Sequence, residues 1–175
     1  MRDVAIVGGG VVGATLACLL ADAGASVVVI DGVAHHPARD EPYDLRTYSL
    51  TPASRRILSA IGAWQRLDLG RVTAYHGMHV WDGARGGAID FDAADNGRSA
   101  LGYIVELSNL QQALAGALQA RPILQTQPGL VDTLLPVPDG INLQTGDGRS
   151  VSARVIAACD GGDSVLRGLV GIEVE

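Results

Sequence analysis

The spacing of apolar residues at the start of the chain predicts two strands joined by a helix. Residues 4–7 form one short apolar run and residues 26–30 form a second, each typical of a buried strand. The apolar stretch between them is long enough for a helix and is closed by Gly24. This order predicts a β-α-β unit with parallel strands.

Helical spacing returns twice further along the chain. Thr51 and Pro52 are expected as the N-cap and first residue of one helix. Ser108 is expected to cap another, in which leucines four residues apart share a face and which Pro122 stops. Both helices therefore have a predicted N-terminus.

The remaining apolar runs are short and predict strands. Alternation over residues 75–92, around glycine-containing turns, indicates an antiparallel hairpin. Residues 102–106 are expected to be extended, and residues 123–126 are expected to add a parallel strand. A β-meander is predicted from the last three runs, at residues 130–135, 141–145 and 151–158. The fold class is therefore α/β, with a Rossmann-like parallel sheet, a meander and an inserted antiparallel strand pair.

The turn after the first strand carries the spacing Gly-x-Gly-x-x-Gly. Gly8 permits the tight turn, Gly10 lets backbone N–H groups approach a pyrophosphate, and Gly13 lets the helix lie close to the strand. The helix N-terminus then faces the anion. Asp31 ends the second strand about 20 residues later, where a carboxylate suits a ribose 2′-hydroxyl and argues against a 2′-phosphate. A glycine-rich turn without a ligand would leave Asp31 unexplained, so these residues predict an adenine-dinucleotide site.

Composition narrows the function classes. At 175 residues with 47% hydrophobic content, the chain is long enough for one domain or slightly more with a packed core. The net charge of −6 does not favour binding to nucleic acid or to an anionic membrane, both of which attract basic surfaces. All 13 basic residues are arginine, which excludes a P-loop lysine, a Schiff-base lysine and a Ser-x-x-Lys hydrolase.

The cysteines and the N-terminus indicate the compartment. Cys18 and Cys159 are the two cysteines, and buried free thiols in a reducing compartment are expected rather than a disulfide. Asp22 interrupts the first apolar stretch, so we expect neither a signal peptide nor a membrane span there, and a cytoplasmic location.

Metal and hydrolase chemistry are not expected. His76 and His79 are three residues apart, but on a predicted strand they would point to opposite faces, and no Cys or carboxylate cluster completes a ligand set. No Ser/His/Asp or Cys/His set has a motif around its nucleophile.

A second motif follows the last predicted strand. Asp160 begins the spacing Asp-Gly-x-x-Ser-x-x-Arg, which ends at Arg167. Together with the glycine loop and the segments at residues 75–82, 89–92 and 101–107, this motif carries a resemblance to a known family. The chain resembles the FAD-dependent aromatic hydroxylases, which are flavoprotein monooxygenases with the p-hydroxybenzoate hydroxylase fold. The likeness is to their ubiquinone-biosynthesis branch, the 2-octaprenylphenol and 2-octaprenyl-6-methoxyphenol hydroxylases.

This resemblance implies roles for individual residues. Asp31, where the family more often has Glu, would hold the ribose; Arg46 would approach the pyrophosphate and the path of the nicotinamide donor. Ser108 stands where relatives often carry Arg. Two alternatives stay open: Arg46 as a surface ion pair with Asp44, and Arg167 as a solvated helix residue. The implied cofactor-binding residues are Gly8, Gly10, Val11, Val12, Gly13, Asp31, Arg46, Leu130 and Asp160.

The resemblance also implies an activity. Family members use FAD, NAD(P)H and O₂ to hydroxylate an aromatic ring, and the likeness to the ubiquinone branch implies a polyprenylated phenol as the substrate. The resemblance also implies an enzyme without a transmembrane segment that works at the membrane periphery or in a ubiquinone-synthesis complex. Residues 1–71 and 100–175 would form the FAD-binding portion, and residues 72–99 the strands on the substrate-domain side. No residue is assigned a catalytic acid or base role.

Relatives are considerably longer, and their third flavin motif, a Gly-Asp pair, lies beyond this chain. We therefore expect an N-terminal portion that is inactive alone. Two rival hypotheses are an NAD-dependent dehydrogenase and a non-catalytic dinucleotide-binding module.

Overall fold

The computed structural model describes residues 1–32, 43–84 and 86–173. Residues 35–41, whose polar and proline-containing sequence predicts a loop, lie outside these ranges. The chain divides into two compact units: unit 1 is Met1–His36 with Leu114–Glu175, and unit 2 is Pro37–Ala113.

The helices and strands follow one another along the chain in this order: β1 (Arg2–Val7), α1 (Val11–Asp22), β2 (Val27–Asp31), β3 (Thr47–Leu50), α2 (Pro52–Ala60), β4 (Val72–Tyr75), β5 (Gly77–Trp81), β6 (Ala88–Asp92), β7 (Gly102–Glu106), α3 (Leu107–Gln119), β8 (Gln125–Pro128), β9 (Val131–Val137), β10 (Gly140–Thr145), β11 (Ser150–Ala158) and α4 (Val165–Leu169).

Unit 1 is built on a six-stranded sheet in the order β8-β2-β1-β11-β10-β9. Strands β8, β2, β1 and β11 run parallel, while β10 pairs antiparallel with β11 and with β9. Val4 lies between Val27 of β2 and Val155 of β11. The predicted β-α-β unit, the added parallel strand and the meander are all confirmed, and the parallel strand begins at Gln125.

Both faces of the central strands are buried, which explains their continuous apolar runs. On one face Ile6 and Val29 belong to a cluster with Ala17 of α1. On the other face Ile30 packs in a cluster with Leu166 of α4. Ala14, Ala17 and Cys18 of α1 are all buried. Because these side chains are small, the helix lies close to the sheet.

Unit 2 contains a three-stranded antiparallel sheet, β3-β7-β4, and a separate hairpin, β5-β6. The alternation of residues 75–92 predicts this antiparallel hairpin, and in the structure Met78 pairs with Phe91. Helix α2 begins as expected, with the Thr51 hydroxyl accepting from the backbone N–H of Ser54 at 3.1 Å. His79 lies in β5, whereas His76 precedes it.

The expected cap of α3 is wrong. The helix begins at Leu107, so Ser108 lies inside its first turn. The carboxylate of Asp44 accepts from the backbone N–H of Ser108 at 3.0 Å. A side chain distant in sequence therefore satisfies a donor that a local cap would otherwise serve.

Within the ranges that the structure describes, no helix is long and apolar enough to cross a membrane.

Candidate cofactor-binding site

The glycine loop begins where β1 ends, between two parallel neighbours. Gly8 has a φ of 100°, in the region that favours glycine, and its N–H donates to the carbonyl of Ile30 at 2.8 Å. A Cβ on Gly8 would overlap the carbonyl oxygen of Cys159, at the end of β11. The turn therefore needs glycine both for its conformation and for the close approach of β11.

Gly13 sets the distance between α1 and the loop. A Cβ on Gly13 would overlap the carbonyl oxygen of Gly8. The third glycine of the motif is thus a packing residue, as the sequence pattern indicates.

Gly10 is different, because open space surrounds it. It has an ordinary extended conformation, with φ −64°, and a Cβ there would meet no heavy atom of the described residues within 4 Å. Gly10 is also the N-cap of α1, and within the described ranges no side chain caps that helix. The first turn starts with Val11 and the exposed Val12 and carries no acidic residue. Space beside uncapped N–H groups at a helix N-terminus fits the diphosphate of a dinucleotide.

Asp31 lies against the middle of this loop. It is the last residue of β2, and its carboxylate occupies the position that a Cβ on Gly9 would need. Leu130 is next to it, since its side chain lies where a Cβ on Gly32 would point, and 72% of its surface is exposed. An acceptor and an exposed apolar side chain thus lie side by side at the ends of neighbouring strands.

The second motif is a self-contained loop and helix cap. The Ser164 hydroxyl donates to Asp160 Oδ1 at 2.7 Å, and the Leu166 N–H donates to Asp160 Oδ2 at 3.1 Å. Burial acts to raise the pKa of Asp160, but these hydrogen bonds outweigh it and leave the pKa lowered. Both carboxylate oxygens are therefore used within the motif.

The backbone of this loop remains open. Gly161 has a φ of 91°, and in the described part of the chain no atom lies within 4 Å of a Cβ built on Gly161 or Gly162. Arg167 holds the loop, since its Nη1 donates to the Gly162 carbonyl at 2.9 Å. Arg167 is thus a loop-binding residue rather than a purely solvated one.

These features share one edge of unit 1. Because β2, β1 and β11 are parallel, their carboxyl ends bring together the glycine loop, Asp31 and Asp160. The N–H of Cys159 donates to the Val7 carbonyl at 2.8 Å, so the Asp160 loop begins beside Gly8. Open α/β sheets bind their ligands at this edge.

Arg46 belongs to unit 2 and forms the ion pair that sequence analysis left open. Its side chain is 74% exposed, and its Nε lies 3.5 Å from Asp44 Oδ1. The backbone N–H of Arg46 also donates to Asp44, which with the Ser108 N–H lowers the pKa of Asp44 against the effect of burial. Its expected approach to a pyrophosphate stays a prediction.

An ion pair that the sequence did not predict joins the buried Glu106 to the partly exposed Arg71. Glu106 is 8% exposed and accepts from the guanidinium of Arg71, through Nε at 2.9 Å and through Nη2. It also accepts from the backbone N–H of Asp44 at 3.0 Å. The Arg71 guanidinium is the main cause of the lowered pKa of Glu106. The available signal was a carboxylate at the end of an otherwise apolar strand.

In the described part of the chain neither cysteine belongs to a disulfide: Cys18 is buried and Cys159 is half-buried. Burial, with the nearby charge of Asp160, raises the pKa of the Cys159 thiol. Within the described residues, no group of three His, Cys, Asp or Glu side chains could hold a metal ion.

Comparison with known proteins supports FAD as the cofactor. The sequence pattern of the FAD binding domain family matches residues 1–175. The chain is 37% identical over 177 residues to ubiquinone hydroxylase UbiL of Rhodospirillum rubrum, covering 99% of this chain and 40% of that protein. It is 34% identical over 174 residues to 3-demethoxyubiquinol 3-hydroxylase of Escherichia coli, covering 98% and 44%.

Solved structures support the fold. A variant of PqsL from P. aeruginosa superposes with a TM-score of 0.80 at 24% identity, over 99% of this chain and 47% of that one. The p-nitrophenol 4-monooxygenase PnpA of Pseudomonas putida gives a TM-score of 0.75 at 21% identity, over 98% and 44%. The α/β fold prediction is confirmed.

The chain spans about 40% of the length of the curated relatives it matches. The family pattern nevertheless covers every one of its residues. The chain therefore belongs to the FAD binding domain family, as its glycine loop and its second motif indicated.

Proposed function

We propose that this chain is the FAD-binding part of a flavoprotein monooxygenase that hydroxylates the ring of a polyprenylated phenol in ubiquinone biosynthesis. The observation that carries the proposal is the open space at Gly10 beside the uncapped N-terminus of α1. Support for the substrate comes from the relatives, since two of them are named ubiquinone hydroxylase and 3-demethoxyubiquinol 3-hydroxylase.

In this proposal the chain's own groups bind and orient the cofactor. Backbone N–H groups at Gly10, Val11 and Val12 donate to the diphosphate, where the partial positive charge of the helix end favours an anion. Asp31 accepts from the ribose hydroxyls, and the exposed side chain of Leu130 offers apolar surface to a flat ring of the cofactor.

The remaining predicted contacts come from the second motif and from Arg46. The Asp160 carboxylate fixes the loop, so that the open backbone of Gly161 and Gly162 faces a ligand. Arg46 contributes a positive charge toward the diphosphate or an NAD(P)H donor. When bound, FAD supplies the chemistry, since it accepts electrons from the nicotinamide donor and reacts with O₂. None of these side chains is required as an acid or base.

A polyprenylated substrate partitions into the bilayer, so the enzyme would have to work at its surface. We infer a cytoplasmic protein that associates with the membrane periphery or with a ubiquinone-synthesis complex. Flotation of the complete gene product with membranes, lost after a carbonate wash, is the expected result.

The cofactor assignment is tested with Gly10→Val in the complete product of the gene. The valine side chain would fill the space for the diphosphate, so flavin absorbance after gel filtration should disappear. Gly83→Val is the matched control, because a Cβ at Gly83 also meets no described atom within 4 Å. A Gly10→Val protein that stays yellow at normal stoichiometry contradicts the proposal, and a wild-type protein without flavin favours an NAD-dependent dehydrogenase.

The substrate is tested by quinone profiling in a strain that lacks the gene. We expect a low ubiquinone level and an accumulated polyprenylphenol, restored by the wild-type gene. A normal ubiquinone level with no accumulated intermediate would instead indicate a soluble aromatic substrate.

A further inference from the structure

Unit 2 contains a cleft of about 860 Å³ whose lining is rich in arginine. Arg55 and Arg56 reach it from α2, Arg98 from the loop before β7, and Tyr103 from β7 itself. We call it the arginine cleft. It belongs to a different unit from the glycine loop, and no role described above uses it.

Arg55 is held in place by two aromatic rings. Its guanidinium carbon lies 5.2 Å from the ring centre of Trp64 and 4.9 Å from that of Tyr103. It also donates a hydrogen bond to the Tyr103 hydroxyl. Trp64 and Tyr103 contact each other edge to face, with ring centres 5.1 Å apart. This packing orders the guanidinium before any ligand arrives, which reduces the entropy that binding would cost.

Within the described ranges, no carboxylate forms an ion pair with the arginines of the cleft. In the described part of the chain, the arginines that pair with a carboxylate are Arg46, Arg71, Arg121, Arg149 and Arg154. Arg55, Arg56 and Arg98 are not among them, although the chain as a whole has a net charge of −6. Three positive charges thus share one concave surface on an acidic protein, a field that attracts anions.

We propose that the arginine cleft binds a phosphate group. A guanidinium presents two parallel N–H donors that match the oxygens of a phosphate. Three guanidinium groups in one cleft suit a ligand with two negative charges better than a ligand with a single carboxylate. Ser59 and Ser99 also line the cleft and add hydroxyl donors. The phosphate can come from a soluble ester or from a phospholipid headgroup.

Titration of the complete gene product with pyrophosphate tests the proposal by calorimetry. Arg56→Gln with Arg98→Gln should raise the Kd about 100-fold, since each charged hydrogen-bonding group contributes roughly a factor of ten. Arg149→Gln with Arg154→Gln removes the same charge outside the cleft and should leave the Kd within about twofold.

Because pyrophosphate also suits the glycine loop, each titration is repeated in the Gly10→Val background. Binding that persists there and is lost with the cleft variant supports the proposal. Binding that disappears with Gly10→Val alone, or that the cleft variant retains, overturns it. An equal response to succinate at the same ionic strength also overturns it, because any dianion would then suffice.

Sedimentation with phosphatidylglycerol vesicles distinguishes the two sources of phosphate. Vesicle binding that the cleft variant loses identifies a lipid headgroup, whereas pyrophosphate binding without vesicle binding identifies a soluble ester. A protein that binds neither probe contradicts the proposal, whatever its FAD content.

Discussion

The Ser164 hydroxyl donates to the Asp160 carboxylate at 2.7 Å, so two residues of the second motif bind each other rather than pointing outward. Ser164 Oγ also accepts from the backbone N–H of Arg167 at 3.1 Å, which makes it the N-cap of α4. The Asp-Gly-x-x-Ser-x-x-Arg spacing, which resembles a set of ligand contacts, thus stabilises the conformation of one loop.

Ser164→Ala should therefore destabilise this loop. Loss of an N-cap hydroxyl costs about 1 kcal/mol, and we expect the free energy of unfolding in urea to fall by about that amount. Ser164→Thr keeps the hydroxyl and serves as the control. An unchanged denaturation midpoint for the alanine variant would show that the cap contributes nothing measurable.

Gly10 and Gly13 should separate cofactor binding from folding. Gly13→Ala places a methyl group on the Gly8 carbonyl and should cost about 1–3 kcal/mol of stability. Gly10→Ala enters open space at an ordinary φ, so stability should change by less than about 0.5 kcal/mol while FAD affinity drops. Thermal unfolding and flavin titration check both effects. Equal destabilisation by the two alanines would refute this division of roles.

Asp31→Ala should weaken FAD binding by about 1.5–3 kcal/mol, because a charged acceptor for the ribose is lost. Fluorescence titration of the apoprotein with FAD measures the Kd. Asp139→Ala removes an exposed carboxylate from the turn between β9 and β10 and is the matched control. If the Kd of Asp31→Ala equals that of the wild type, the ribose lies elsewhere.

The Arg71–Glu106 pair should make stability depend on pH. Arg71 lowers the pKa of Glu106 from its ordinary value of 4.5, so the folded protein holds this proton less tightly than the unfolded chain. The stabilisation is therefore complete above about 4.5 and is lost as the pH falls through the lowered pKa. Denaturation between pH 7 and pH 3 should show the loss, and Glu106→Gln should flatten that part of the profile. A variant with the wild-type slope would assign the pH dependence to other carboxylates.

Local pattern was sufficient for the elements that hold the glycine loop. The strands around Ile6 and Val29 are buried on both faces, so their apolar runs are continuous and hard to mistake. The short strand β3 was not predicted, because three of its four residues are exposed and leave no apolar pattern. Its pairing with β7, such as Tyr48 with Val105, is what makes it a strand.

Hydrogen-bond and ion-pair partners that are distant along the chain could not be predicted from the sequence. Ser108 is an acceptable N-cap by residue type, but nothing near it in the chain reveals that Asp44 would supply the acceptor. The same holds for Arg71 and Glu106, which meet only when β4 and β7 pair. At the site, Gly8, Gly10, Gly13 and Asp31 could be placed by spacing, whereas the inward use of the Asp160 carboxylate could not.

The position of β11 beside β1 has a consequence for biosynthesis. Ala5 pairs with Ile156, so β1 leaves the ribosome well before the strand that covers its second edge. Pairing between such distant segments forms slowly and leaves an open strand edge in the meantime. Since Gly8 packs against Cys159, we expect the glycine loop to reach its final packing only after β11 has docked, so that cofactor binding follows folding instead of nucleating it.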